Sequence, residues 1–452
     1  MENDSKKILS ICTSDTYGGA AKAAYRIHCA VNELAIKEHL PIRSEMFVLK
    51  KGTNDSSVHS LNEFLPKGWW FRIFDYVAHK VKNKIQHIVW RPYKHTQDKN
   101  YKSDLRGRYL YGALQQLCPD IIHLHWINQR FISLKELHDY VMQEEKNGHH
   151  IPIVWTLHDS WPFCGTCHYF LECSNYQNSC GNCPQLRPNV NERFAADLSH
   201  KVWQKKANWY KDLDIHVVSP SQWLADCAKQ SSLFMGRDVQ VIPNCLDTTI
   251  FCPSECESTS EQEKRFAKPI LLYGAVNAAT DRIKGFANLL SALQLIEKQY
   301  QEKGEEVPFE VVVFGADKSS LPIETTIPIH YMGYVSNIYQ LVDLYRQATV
   351  MVVPSLTENL SCAIMEALSC GTPVCCFNIG GNGDLVNHKV NGYLAREKDD
   401  ADLAQGILWT LEKNVNNALG HATRQSVIDR FTPNVVAKKY VNLYVEIGNK
   451  YV

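Results

Sequence analysis

The sequence predicts an α/β protein built from two doubly wound parallel-sheet domains in tandem. Three observations carry this. Short apolar runs of strand length alternate with longer helix-favouring stretches, the pattern of a parallel sheet covered by helices on both faces. The rhythm breaks over Cys252–Lys268 (CPSECESTSEQEKRFAK), which is polar and without period, and restarts after Pro269. The 452 residues suffice for two to four domains of about 100–200 residues each.

The first strand is expected over Lys7–Ser14, running into Asp15-Thr16-Tyr17-Gly18-Gly19. Ala20–Leu34 is alanine-rich and favours a helix. Strands follow at Glu45–Leu49, Ile121–Leu124, Ile153–Leu157 and Ile215–Val218, with helical stretches at Lys102–Leu117 and Leu134–Glu145. These elements make a first domain, 1–245. In the second, 246–430, strands are expected at Ile270–Tyr273, Phe309–Phe314, Ile329–Met332, Val350–Val353 and Val374–Phe377. Gly285–Lys298 and Ser361–Ser369 read as helices, the latter stopped by Gly371 and Pro373. In the tail, 431–452, Val435, Val436, Tyr440, Leu443, Tyr444 and Ile447 recur at helical spacing. Ligands of such sheets bind beyond the carboxyl ends of the strands, here in a cleft faced by both domains.

Composition removes other classes. Apolar residues are 45% and charged residues 21%, as in an ordinary globular protein rather than a disordered one. With 48 basic and 48 acidic residues, a chain that binds nucleic acid over its whole surface is excluded. No apolar run reaches the roughly 20 residues of a membrane span. Ile8–Cys12 is too short for the core of a signal peptide, so the chain is expected in the cytosol. Disulfides are disfavoured there. Eleven of the 16 cysteines are scattered and read as packing residues; the other five fall between Cys164 and Cys183.

The segment Pro354–Gly381 (PSLTENLSCAIMEALSCGTPVCCFNIGG) carries the most chemistry. A strand ends at Pro354, Glu358 lies on the following loop, and Glu366 lies on a helix that starts near Leu360 or Ser361. The amides and dipole of a helix start favour an anion, while carboxylates accept hydrogen bonds from hydroxyls. Together they suit a polyhydroxylated ligand that carries phosphates.

The run P-S-x-x-E-x7-E-A-x3-G-x-P-V resembles glycosyltransferase family 4, retaining enzymes of the GT-B fold. Four further segments match in order: Ser219-Pro220-Ser221, Ile242-Pro243-Asn244-Cys245-Leu246-Asp247, Tyr331-Met332-Gly333-Tyr334-Val335 and Asn391-Gly392-Tyr393-Leu394. Cys245 stands where the family usually has glycine. The resemblance spans essentially the whole chain and implies transfer of a sugar from a nucleotide-sugar donor to a hydroxyl of a growing glycan. It implies front-face substitution, with neither a carboxylate general base nor a catalytic divalent metal. Glu366 would hold the ribose, Glu358 and His158 the sugar, and Lys284 the diphosphate. Gly19 would allow close approach, and Val335, Leu360 and Ser361 would line the donor site. The family's second cation falls at Ala275, and Arg282 is expected to replace it. The tail would cross back to the first domain.

Asp159 is expected to hold the His158 ring or touch the acceptor. His123 and His125, two apart on one strand face, suit a structural or cleft-wall role; no nearby carboxylate supports a metal. Cys167, Cys173, Cys180 and Cys183 offer four thiolates for a structural zinc, in an insertion (164–183) that resembles one in colanic-acid-type transferases. Free or disulfide-linked thiols are the other reading. Phe64–His95 holds seven Lys/Arg and one acidic residue among aromatics. That composition suits peripheral contact with the inner face of the cytoplasmic membrane and a lipid-linked oligosaccharide acceptor, and equally suits a helix packed on its own domain. Two other classes are weighed: a non-catalytic nucleotide-sugar-binding partner, and a zinc-knuckle protein of single-stranded nucleic acid. The second leaves most of the chain unexplained, and no nucleic acid is expected.

Overall fold

The computed structural model describes residues 5–65, 93–95, 109–188, 197–254, 266, 268–274, 281–318 and 325–449. Most of the expected membrane-facing segment 64–95, most of the linker and Ala275 lie outside the described residues. The chain forms two compact units. The first holds Met1–Pro220, Leu224–Ile242 and Ala437–Val452; the second holds Ser221–Trp223 and Pro243–Val436.

The strands of the first unit are β1 (Lys6–Ser14), β2 (Ile42–Lys50), β3 (Val58–Ser60), β4 (Tyr93–His95), β5 (Ile121–Leu124), β6 (Ile153–Thr156), β7 (Leu186–Pro188), β8 (Ile215–Ser219) and β9 (Val239–Val241). Seven form a parallel sheet in the order β3-β2-β1-β5-β6-β8-β9, and β4 pairs with β7 outside it. From Ile8 onward β1 is buried, as a central strand covered on both faces must be. The order reverses between β1 and β5, so the loops after these strands diverge and leave room for a ligand. The short strands β3 and β9 are absent from the sequence reading, because three residues carry too little pattern to identify a strand.

The second unit contains β10 (Ile270–Gly274), β11 (Glu310–Phe314), β12 (Ile329–Tyr331), β13 (Val350–Val353), β14 (Val374–Phe377) and β15 (Gly392–Ala395). Its parallel sheet runs β12-β11-β10-β13-β14-β15, with its reversal between β10 and β13. One core group on this sheet gathers Leu289, Leu293 and Phe309, and another gathers Ile364, Met365 and Val374. The segment Asn391–Leu394, which the resemblance to family 4 gives as a turn, is largely strand: β15 pairs with β14 along its length. Gly392 permits it, since a Cβ there would stand 2.1 Å from the Val374 carbonyl oxygen.

The tail is one helix, Pro433–Asn449, which joins the first unit from Ala437. Its Tyr440, Tyr444 and Ile447 are buried. Tyr440 shares a hydrogen bond with Thr156 at 2.9 Å, and Tyr444 one with Nδ1 of His123 at 2.8 Å.

Candidate active site

The sheet reversal of the second unit brings two loops together. The loop after β10 ends in a single turn, Arg282–Lys284, capped by Asp281, whose side chain accepts from the Ile283 N–H at 3.1 Å. The loop after β13 runs from Pro354 to Ser361 and leads into the helix Cys362–Ser369. The Leu356 N–H donates to the Ile283 carbonyl at 2.7 Å and ties the two. Gly285 makes this approach feasible. Its φ is +68°, and a Cβ there would fall 1.7 Å from the Pro354 carbonyl oxygen. Gly380 and Gly381 do the same from the other side. Cβ atoms there would lie 1.9 Å from the Glu358 oxygen and 1.7 Å from the Asn359 oxygen, while the Gly381 N–H donates to the Glu358 carbonyl at 3.1 Å. Ser221, grouped with this unit, donates to Asn359 Oδ1 at 2.7 Å.

The clamped loop sets the charged groups. Lys284 Nζ lies 3.2 Å from Glu358 Oε2, with both side chains partly buried. The carboxylate raises the lysine pKa above its ordinary value against the opposing effect of burial, so Lys284 is a cation at neutral pH. Glu366 is 8% exposed, and its Oε2 accepts from the Tyr345 hydroxyl at 3.1 Å. Ser361 occupies the cap position of the Cys362–Ser369 helix, makes no side-chain bond to the first turn, and that turn has no acidic residue. Its amides and dipole favour an anion. Leu360 is buried in the core, and Val335 packs against the same group. Arg282 is exposed, two residues before Lys284 in the turn. Sequence reasoning missed Tyr345, since a helical tyrosine does not announce which carboxylate it meets.

In the first unit, Gly18 has φ +91° and Gly19 starts the helix Gly19–Lys37; a Cβ at either would meet nothing within 4 Å. His158 follows β6 and is partly exposed. Its Nε2 is 3.0 Å from Nδ1 of His125, which follows β5. Burial holds the pKa of His158 down at about 4 and that of His123 at about 3, and holds His125 well below its ordinary value. The hydrogen bonds of Asp159 differ from the expectation. Its carboxylate accepts from Trp126 Nε1 at 2.8 Å, from the Trp161 N–H at 2.9 Å, and bonds His168 Nδ1 at 2.7 Å. Asp159 organises the insertion rather than carrying the His158 ring by hydrogen bond.

Cys164, Cys167, Cys173, Cys180 and Cys183 line one cavity, and none of the five is in a disulfide. Lys206 is wholly buried below them. It donates to the carbonyls of Trp161 at 2.5 Å and Cys164 at 2.9 Å and lies 3.7 Å over the Trp161 ring. Among the described residues, no three His, Cys, Asp or Glu side chains form a group able to hold a metal as they stand.

Two doubly wound parallel-sheet α/β units in one chain, with the charged side chains of the second beyond its strand ends, are the architecture of the GT-B fold. Residues 72–250 match the model of Glycosyltransferase Family 4, and residues 268–413 match that of Glycosyl transferases group 1. The chain belongs to the family-4 glycosyltransferases. It is 24% identical over 312 residues to WcaC of Escherichia coli K12, a glycosyl transferase attributed to colanic acid biosynthesis, covering 68% of this chain and 72% of that one. A 139-residue stretch is 27% identical to the N,N'-diacetylbacillosaminyl-diphospho-undecaprenol alpha-1,3-N-acetylgalactosaminyltransferase of Campylobacter jejuni, covering 30% of this chain and 36% of that protein. Among solved structures, HepE of Anabaena, in complex with UDP and glucose, aligns with a TM-score of 0.58 at 16% identity, over 98% of this chain and 100% of its own.

Proposed function

We propose that this protein is a retaining glycosyltransferase of polysaccharide biosynthesis, which moves a hexosyl or N-acetylhexosaminyl group from a nucleotide sugar to a hydroxyl of a growing, lipid-linked surface glycan. One observation carries the reading: Lys284 pairs with Glu358 between two glycine-clamped loops at the sheet reversal of the second unit, and the second of these loops leads into the helix that carries Glu366. The WcaC and Campylobacter relatives support the polysaccharide setting and the lipid-linked acceptor.

In this reading Glu366, oriented by Tyr345, accepts hydrogen bonds from the ribose hydroxyls. Lys284, the helix start at Ser361 and the exposed Arg282 compensate the charge that develops on the leaving diphosphate. Glu358 and His158 contact the donor sugar. The acceptor oxygen bonds to the anomeric carbon on the face from which the phosphate oxygen departs. The acceptor proton passes to the leaving phosphate, so no carboxylate base is needed. A thermal-shift screen of nucleotide sugars, followed by transfer assays with the best donor, tests the proposal. Failure of every nucleotide sugar to bind would sink it, and binding without transfer or donor hydrolysis would favour a non-catalytic partner.

Two subsidiary proposals follow from the composition. The five-cysteine cavity, in a segment with little regular structure, suits a structural zinc on Cys167, Cys173, Cys180 and Cys183. Less than about 0.2 equivalents of metal in anaerobically purified protein would remove it. The basic aromatic stretch 64–95 suits an anionic membrane surface. Absence of co-sedimentation with anionic liposomes at low salt would remove that.

A further inference from the structure

A ladder of side chains joins the ends of β5 and β6. His123 bonds Thr156 at 2.8 Å, His125 bonds His158 at 3.0 Å, and the Trp126 indole N–H donates to Asp159 at 2.8 Å. The members of every pair are 33 residues apart, so the two segments run on side by side past the last paired strand residues, Leu124 and Trp155. Trp126 is anchored on its other side, where its carbonyl accepts from the Thr13 N–H at 2.8 Å, near the end of β1.

The last rung is fastened from the cysteine-rich insertion. A carboxylate only accepts, so the His168 ring donates its Nδ1–H to Asp159, at 2.7 Å, with the two side chains 5% and 10% exposed. The His168 carbonyl in turn accepts from the Ser160 N–H at 3.1 Å and the Ser160 hydroxyl at 2.7 Å. His168 therefore holds both residues that follow His158, one through its ring and one through its backbone. Before His158, the Leu157 N–H donates to the Val218 carbonyl at 2.8 Å. The backbone of His158 is thus bracketed, by the sheet on one side and by His168 on the other. Cys167, the chain neighbour of His168, lines the five-cysteine cavity, and its carbonyl also accepts from the Ser160 hydroxyl, at 3.3 Å.

We propose that His168 is a positioning residue for His158: through Asp159 and Ser160 it fixes the backbone that carries the His158 ring, and so couples the cysteine-rich insertion to the strand end. A side chain set by a neighbouring shell loses its productive placement when that shell loosens by about 1 Å. The consequence for turnover rests on the reading that His158 contacts the donor sugar; the link itself rests on hydrogen bonds within the first unit.

Two variants of the whole protein test this. His168→Asn places a side-chain N–H where Nδ1 stood, and His168→Leu removes the donor. Long-range proton–nitrogen NMR spectra with labelled histidines, with His158 assigned through His158→Gln, read the position of the ring directly. The His158 signals should move in the leucine variant and stay near their wild-type values in the asparagine variant; signals unmoved in both overturn the proposal. Should His168→Leu not fold, Ser160→Ala removes the hydroxyl bonds with a smaller lesion, and its His158 signals are judged in the same way. With the best donor of the nucleotide-sugar screen, kcat should stay within about threefold of wild type in His168→Asn and fall at least about tenfold in His168→Leu, with little change in donor KM. Equal losses in the two variants overturn the positioning role. If the signals move as expected but His158→Gln turns over normally, the sugar-contact reading of His158 fails and the structural link stands.

Discussion

At the scale of single residues, the site is a balance of charges set by neighbours. Lys284 is held charged by Glu358, and Glu366 is oriented by a buried tyrosine. In the proposed reading, Lys284→Ala removes the cation that compensates the leaving diphosphate, and Glu366→Ala removes the ribose acceptor. Each is expected to lower turnover at least about 100-fold, roughly 2.7 kcal/mol of transition-state stabilisation. Steady-state kinetics on folded variants check this, and near-normal turnover in either refutes that residue's role. The two glutamates and the lysine were singled out in the sequence as candidates through the resemblance to family 4, supported by their position after strands. Tyr345 and the His125–His158 bond were not, because both depend on which elements become neighbours in the sheet and its covering helices.

At the scale of elements, glycine placement holds the site loop. Gly285 is left-handed and backs onto Pro354, while Gly380 and Gly381 back onto Glu358 and Asn359. Gly285→Ala adds both a strained conformation and a collision with a carbonyl oxygen, which side-chain rotation cannot relieve. The expected loss is about 2 kcal/mol or more of stability in the second unit. Turnover should fall as well, because Lys284 would shift from Glu358. A variant with unchanged melting temperature and kinetics would show that the loop adjusts freely. The Gly380-Gly381 pair was visible in the sequence, but its purpose was not: a close approach needs two partners, and the second partner is distant in the chain. Strand β15 has the same lesson, since Asn391–Leu394 reads as a turn until β14 supplies its hydrogen-bond partner.

At the scale of the whole molecule, the C-terminal helix and the buried histidines govern the first unit. Tyr444→Phe leaves His123 Nδ1 without its partner and should cost about 1–3 kcal/mol, or about 2–4 °C of melting temperature per kcal/mol. An unchanged melting temperature would count against the interaction. The histidines add a pH dependence of definite sign. Burial holds His28 and His158 at about 4 and His123 at about 3, with His125 also well below its ordinary value. In the unfolded chain these rings take up protons near about pH 6.5. Between that value and their folded values the unfolded state binds more protons, so their stabilisation is full above about 6.5 and is lost as pH falls toward 4. Each ring contributes about 1.4 kcal/mol per pH unit in that window. Melting temperature should be level above about pH 7 and drop steeply from 6.5 to 5; a level curve down to 5 would show that the rings are not buried in their neutral form.

By itself, the sequence determined the two-sheet α/β class and most strand positions, and its resemblance to family 4 singled out Lys284, Glu358 and Glu366 as candidates. These are written in local signals: apolar runs, helix stops and residue types at fixed spacing. The tertiary structure decided what depends on contacts distant in the chain. It placed Tyr345 on Glu366, Gly285 against Pro354, His125 on His158, and Tyr440 and Tyr444 on the first unit. It also took the Asp159 carboxylate away from His158 to Trp126, Trp161 and His168. A side chain's type can be read from the chain alone; its partner follows only when the sheet order sets distant segments side by side.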